Sequence, residues 1–198
     1  MADTQHDAEV IEDAAPAQRL DPEVAARREA ALAHVRKFGD PVLRATARPV
    51  ERFDDDLREE IRRMGVLMAD SLGIGLAATQ LGTLHRVLVY RVEHDSPVNA
   101  LVNPLLEWSG SEKEWMEEGC LSLPGVHVDV ERPVHVRVRA QDPFGEEIVV
   151  EASGLEARVI QHEMDHLDGV LILDRTPKDQ RKEAMRILRE QDGAAAPG

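Results

Sequence analysis

A chain of 198 residues with 42% hydrophobic and 31% charged side chains has the balance of a folded globular protein, which argues against wholesale disorder. Its 38 acids against 24 bases give a formal net charge of -14, and this disfavours a nucleic-acid binder that relies on a broad phosphate-neutralising surface. The single cysteine, Cys120, excludes an intrachain disulfide and fits a reducing compartment, and no apolar run approaches the roughly 20 residues that span a bilayer.

Residues 1–34 read as an acidic extension, with eight acids against three arginines in residues 1–32. The first twenty residues are expected to be a mobile tail without a secretory or organelle signal, so a cytoplasmic protein is expected. Asp21-Pro22-Glu23 can then open an Ala-rich helix, with Asp as N-cap and Pro in the first turn. Gly39-Asp40-Pro41 marks a turn into a main domain over residues 35–176. Asp54 to Leu72 is the clearest helix: Leu57, Ile61, Met64, Met68 and Leu72 recur every three or four residues, acids sit at its positive end, and Gly73 can cap it. A Gly-rich loop, residues 73–80, follows. Strand patterns are read over Arg86–Val92, Ala100–Val102, Val126–Val130, Val134–Val138 and Ile148–Ala152, with a turn at Asp142-Pro143-Phe144-Gly145. Leu155–His166 reads as a more buried helix, and residues 177–198 as a C-terminal helix running to about Gln191 with a frayed tail. Helices and strands do not alternate as repeated βαβ units, so the fold class expected is α+β, with antiparallel or mixed sheets around a central helix.

That central helix carries His162-Glu163-Met164-Asp165-His166, an H-E-x-x-H pattern. A four-residue step turns a helix by about 400°, so both imidazoles leave one face a turn apart and can share one divalent ion. Val159, Ile160 and Leu167 around them are apolar, and unpaired His and Glu are costly in such a setting. The third ligand decides the class. An extended pattern with a third histidine fails, because Gly169 is in place but the last position is Ile172. Glu183 or Glu190 would complete an endopeptidase site, although both lie in a segment rich in Lys and Arg that favours a solvated face. Cys120 is the remaining candidate, since a thiolate is a strong metal ligand.

Three segments acquire a shared meaning when read together. Gly73-Ile74-Gly75-Leu76-Ala77-Ala78-Thr79-Gln80, Glu118-Gly119-Cys120-Leu121-Ser122 and Gln161-His162-Glu163-Met164-Asp165-His166 resemble the three motifs of the peptide deformylase family, in that family's order, and Gly39 to Arg44 resembles its opening. The resemblance covers about residues 35–175. It implies hydrolytic removal of formate from the N-formyl-methionine that begins nascent bacterial chains. Cys120, His162 and His166 would hold one metal ion, Fe²⁺ in preference to Zn²⁺, Ni²⁺ or Co²⁺, with a fourth position left for the hydroxide that attacks the formyl carbon. Glu163 would serve as general acid and base, and the Gln80 amide with the Leu121 N–H would stabilise the oxyanion. The peptide would bind as an added strand between Ile74-Gly75 and Glu117-Glu118-Gly119, with methionine in a pocket of Met116, Leu155 and Val159. Glu118 would orient backbone nearby, Gly119 would let the chain pass close to the metal, and Arg158 would lie over the rim with its head in solvent. His127 is expected to be a surface or strand histidine, and His85, His94 and His135 structural. The basic C-terminal helix (Lys178, Arg181, Lys182, Arg186, Arg189) is where the resemblance implies ribosome contact. An endopeptidase and a non-catalytic peptide-binding homologue are the alternatives. No membrane association and no specific nucleic-acid recognition are expected.

Overall fold

The computed structural model describes residues 20–93 and 95–195. The expected mobile tail, apart from Leu20, and His94 lie outside the described residues. Helix α1 (Pro22–Leu32) starts as expected, the Asp21 side chain accepting from Glu23 N at 2.9 Å. A short 3-10 turn, Pro41–Arg44, is capped in the same way by Asp40. Helix α2 (Asp55–Asp70) is capped by Asp54, whose carboxylate accepts from Leu57 N at 3.2 Å.

The α2 stripe ends one turn earlier than its periodicity predicts. Leu72 is exposed and takes a left-handed conformation, φ 59°. Leu72 N donates to Ala69 O and Gly73 N to Met68 O, closing the last turn with the left-handed position on Leu72 rather than on Gly73. Leu57, Ile61, Met64, Leu67 and Met68 remain buried against Leu76, Val87, Val89 and Val102 of the sheet. Each such side chain gains about 1.5–3 kcal/mol from leaving water.

Seven strands follow: β1 (Gly75–Ala77), β2 (Val87–Tyr90), β3 (Asn99–Ser109), β4 (Lys113–Cys120), β5 (Leu123–Pro133), β6 (His135–Gln141) and β7 (Glu147–Ser153). They form a five-stranded sheet in the order β1-β2-β3-β6-β7 and a separate β4-β5 hairpin, every pair antiparallel. Strands β3 and β5 are longer than their hydrophobic patterns, and β4 carries no such pattern. Most of β4 is exposed, and its one fully inward side chain is the polar Glu118. Helix α3 (Gly154–Leu167) lies between the sheet and β5. Its Val159, Ile160, Met164 and Leu167 share a core with Leu88, Tyr90, Leu101, Val138 and Ala152.

A short helix α4 (Ile172–Arg175) leads to α5 (Lys178–Ala195). Ala184 and Leu188 of α5 are buried with Leu43, Leu123, Val126 and Val128, so α5 is packed on β5. Gly169, which the sequence offers as part of a histidine pattern, has a different role. Its φ is 71°, and a Cβ there would meet the Arg44 carbonyl oxygen at 2.6 Å, so only glycine fits the turn after α3. The architecture is α+β, as the sequence predicts. No helix among the described residues is long and apolar enough to cross a membrane.

Candidate functional site

Helix α3 presents His162 and His166 one turn apart, ring centroids 5.0 Å from each other. The end of β4 brings Cys120 to them. The pairing of β4 with β5 slips between Gly119 and Cys120, and a slip of this kind re-aims the side chain that follows it. Cys120 Sγ lies 3.3 Å from His166 Nε2, and the ligand atoms of Cys120, His162 and His166 all lie within 4.8 Å of one another. Ligand atoms of a tetrahedral thiolate–imidazole site stand roughly 3.5 Å apart, so the donor set fits one divalent ion. Glu183 and Glu190 are elsewhere, both bonded to Arg186 on the exposed face of α5.

The surroundings favour positive charge at this point. Burial pushes the Cys120 thiol up, but the His166 and His162 rings outweigh it and hold the thiol well below its ordinary value. Burial likewise pulls His162 down, while Cys120 and Glu118 more than reverse that and raise it. A thiolate and an adjacent carboxylate that together favour a cation on the imidazole also suit a metal in its place.

Behind the three ligands lies a buried ionic chain. Glu118 Oε2 accepts from His162 Nδ1 at 2.9 Å, which leaves Nε2 to face the ligand cluster. The same carboxylate accepts from Arg132 Nε at 2.6 Å, Arg132 Nη2 at 2.9 Å and Arg158 Nη1 at 2.8 Å. Arg132 also reaches Asp165 at 2.8 Å, and Asp165 is held in turn by Arg175. Burial raises the Glu118 carboxyl, but its bonds to Arg132 and His162 prevail and keep it far below the usual carboxylate range. Two sequence expectations are corrected here. Glu118 holds a histidine ring and two guanidiniums instead of orienting backbone. Arg158 is 6% exposed, with its head bonded to Glu118, Val130 O and Glu114 O, because only those acceptors offset the cost of burying it. Arg132 was not singled out from the sequence. Its signal was the alternation Val126, Val128, Val130, Arg132, which carries an arginine onto the buried face of β5.

Glu163 is 4% exposed and sits between α3 and β1. A Cβ on Gly75 would come within 2.9 Å of Glu163 Cγ, so the glycine makes room for the carboxylate. Burial raises its pKa, partly offset by His162 and His166, and Glu163 Oε2 has no hydrogen-bond partner among the described residues. Gln80 is buried; its Oε1 accepts from Ala77 N at 2.9 Å and its Nε2 donates to Ser122 Oγ at 3.2 Å, lying 3.8 Å from Cys120 Sγ. A Cβ on Gly119 would touch His127 Cε1 at 3.1 Å, so the absence of a side chain there makes room for that ring.

A cleft of about 450 Å³ opens beside these groups. Ile74, Gly75, Met116, Glu117, Glu118, Gly119, Leu155 and Val159 all line it, together with Gln80, Cys120, Leu121, His162 and Glu163. Of these, Val159 is buried, whereas Ile74 and Leu155 are exposed. The cleft also takes in residues that sequence reasoning did not assign to it: His127 of β5, Lys37 and, from α1, Arg28 and Leu32.

Residues 32–182 match the family described as Polypeptide deformylase. A peptide deformylase of Acidothermus cellulolyticus is 47% identical over 164 residues, 83% of this chain and 89% of that protein. One from Thermotoga neapolitana is 48% identical over 154 residues, 78% of this chain and 90% of the relative. Among solved structures, a Synechococcus elongatus peptide deformylase in complex with actinonin is 43% identical and superposes with a TM-score of 0.75, covering 77% of this chain and 85% of its own. That of Thermotoga maritima is 45% identical with a TM-score of 0.70, covering 72% and 96%. With the fold, the order of its motifs and most of its length in common with these enzymes, the chain belongs to the peptide deformylase family, hydrolases that act on N-formyl-methionine peptides.

Proposed function

We propose that this chain, acting in the cytoplasm, releases formate from the N-formyl-methionine of nascent polypeptides, with Cys120, His162 and His166 holding one divalent ion, Fe²⁺ in preference to Zn²⁺, Ni²⁺ or Co²⁺. Such an ion, when bound, acts as a Lewis acid and brings the pKa of water near neutrality. The observation that carries the reading is the buried Glu163 Oε2, which has no partner among the described residues, on a side chain that lines the cleft beside a Cys/His/His cluster. Glu163 takes a proton from the attacking water and returns it to the amine as the formyl C–N bond breaks, and burial, which raises its pKa, suits it to both halves of that task. The Gln80 Nε2–H and the Leu121 N–H donate to the formyl oxygen as it takes up negative charge when water adds to the formyl carbon.

The peptide's place follows from strand edges. β1 is one of the two outer strands of the five-stranded sheet and β4 has one unpaired edge, so an extended chain can bond to Ile74-Gly75 on one side and Glu117-Gly119 on the other. Met116, Leu155 and Val159 offer an apolar seat for methionine. The enzyme should release formate from formyl-Met peptides and leave acetyl-Met peptides intact, and a chelator should abolish the release until Fe²⁺ is restored without oxygen. Equal cleavage of the acetyl peptide, or full activity after metal is stripped, would refute the proposal.

Ribosome contact belongs to the exposed cations of α5. Removing the helix would strip the apolar cover from β5, so charge reversal is the sounder test. Reversing Lys178, Lys182 and Arg189 together should weaken co-sedimentation with ribosomes while small-peptide turnover persists; unchanged sedimentation at low salt counts against it.

A further inference from the structure

All of α1 except its last residue precedes the family-matched segment 32–182, yet Arg28 and Leu32 form part of the cleft wall. The helix is docked, since Ala31 is 3% exposed and packs in the cluster that holds Met64 and Met68. The chain that follows is pinned to both loops of the site: Arg36 N donates to Gln80 O at 2.7 Å and Phe38 N to Ser122 O at 2.8 Å. Between those two bonds, Lys37 Nζ donates to Leu121 O at 3.0 Å, which leaves two of its three N–H groups free for a ligand. Burial lowers the Lys37 pKa, Cys120 works against that, and the neighbouring Arg28 charge lowers it further. Both cations therefore line the same cleft, and no carboxylate pairs with either among the described residues.

We propose that Arg28 and Lys37 form a cationic subsite that selects acidic side chains in the substrate, downstream of the formyl-methionine. This rests on the deformylase reading of the cleft. What reaches this wall is the peptide itself, because it lines the same cleft as the ligand cluster. An extended peptide advances about 3.3 Å per residue and turns alternate side chains to one wall, so one or two of the residues after methionine face the cations. The chain as a whole carries -14 and repels acidic peptides, so a local pair of cations decides whether they are accepted.

The test is a panel of formyl-Met peptides with Asp, Ala or Lys at each of the three positions after methionine, assayed by formate release at low and high salt. At one position or more the wild type should favour Asp over Ala by roughly threefold to tenfold in kcat/KM, through KM, with the preference shrinking as salt rises. Arg28→Ala should cut that ratio about threefold, and Arg28→Glu should abolish or invert it. Arg62→Glu, on the exposed face of α2 and paired there with Glu59, changes net charge as much as Arg28→Glu does and should leave the ratio as in wild type. Ratios that are the same in Arg28→Glu and Arg62→Glu, or a wild type indifferent to Asp at every position, overturn the subsite while the deformylase reading stands. Failure to release formate from any peptide overturns that reading and the subsite with it.

Discussion

Glu163→Gln should lower formate release from a formyl-Met peptide by about 10²–10⁴-fold, with most of the loss in kcat. The replacement keeps the shape that Gly75 accommodates and removes only the ability to take and return a proton. Bound metal per chain, measured after anaerobic purification, should match wild type, because Cys120, His162 and His166 are untouched. Wild-type turnover in this variant would mean that another group moves the proton, and a non-catalytic homologue would show no formate release in either form. Cys120→Ala gives the complementary result: an endopeptidase that used Glu183 or Glu190 would survive it, whereas a deformylase loses its metal.

Glu118→Gln attacks the same site from behind. Its carboxylate is the common acceptor for His162, Arg132 and Arg158, all nearly out of solvent. Removing one partner of a buried ionic network costs about 3–5 kcal/mol, since the remaining charges stay buried and uncompensated. The loosened His162 ring should also weaken metal affinity by about 10–100-fold. Thermal unfolding and metal titration read the two effects separately. The pH dependence has a definite sign. The folded-state pKa of Glu118 is held below its ordinary value of 4.5, so its stabilisation is complete above that pH and drains away as pH falls towards the folded value. Glu118→Gln should therefore flatten the acid limb of the stability curve below about pH 4.5. An unchanged melting temperature and metal affinity would show that the arginines and His162 find other acceptors.

These two residues differ in how openly the sequence displays them. Glu163 stands inside H-E-x-x-H, where the helical period alone places it beside two histidines. Glu118 stands in a segment without hydrophobic alternation, and its neighbours Glu114 and Glu117 give it no distinction. The strand that carries it was invisible for the same reason: β4 buries a carboxylate where a pattern search expects an apolar side chain. Arg158 is the opposite case, misread as a rim residue because a lone arginine on an apolar helix usually sends its head to water. Only the approach of β4 and β5 supplies the acceptors that let it stay inside.

Local order along the chain determined a good deal of this protein. Period and capping chemistry placed α2, the four-residue helical step aligned His162 with His166 on α3, and the order of helices and strands fixed the α+β class, because these depend on residues a few positions apart. Tertiary structure alone decided what meets across the chain. It carries Cys120 to His166 over 46 positions, joins Glu118 to Arg132 and Arg158, and brings Arg28 and Leu32 of α1 into the same cleft as Lys37. The reason is that such contacts depend on strand register, the slip at Cys120 and the packing of buried surfaces. Each is settled by the whole core, and none leaves a period in the sequence.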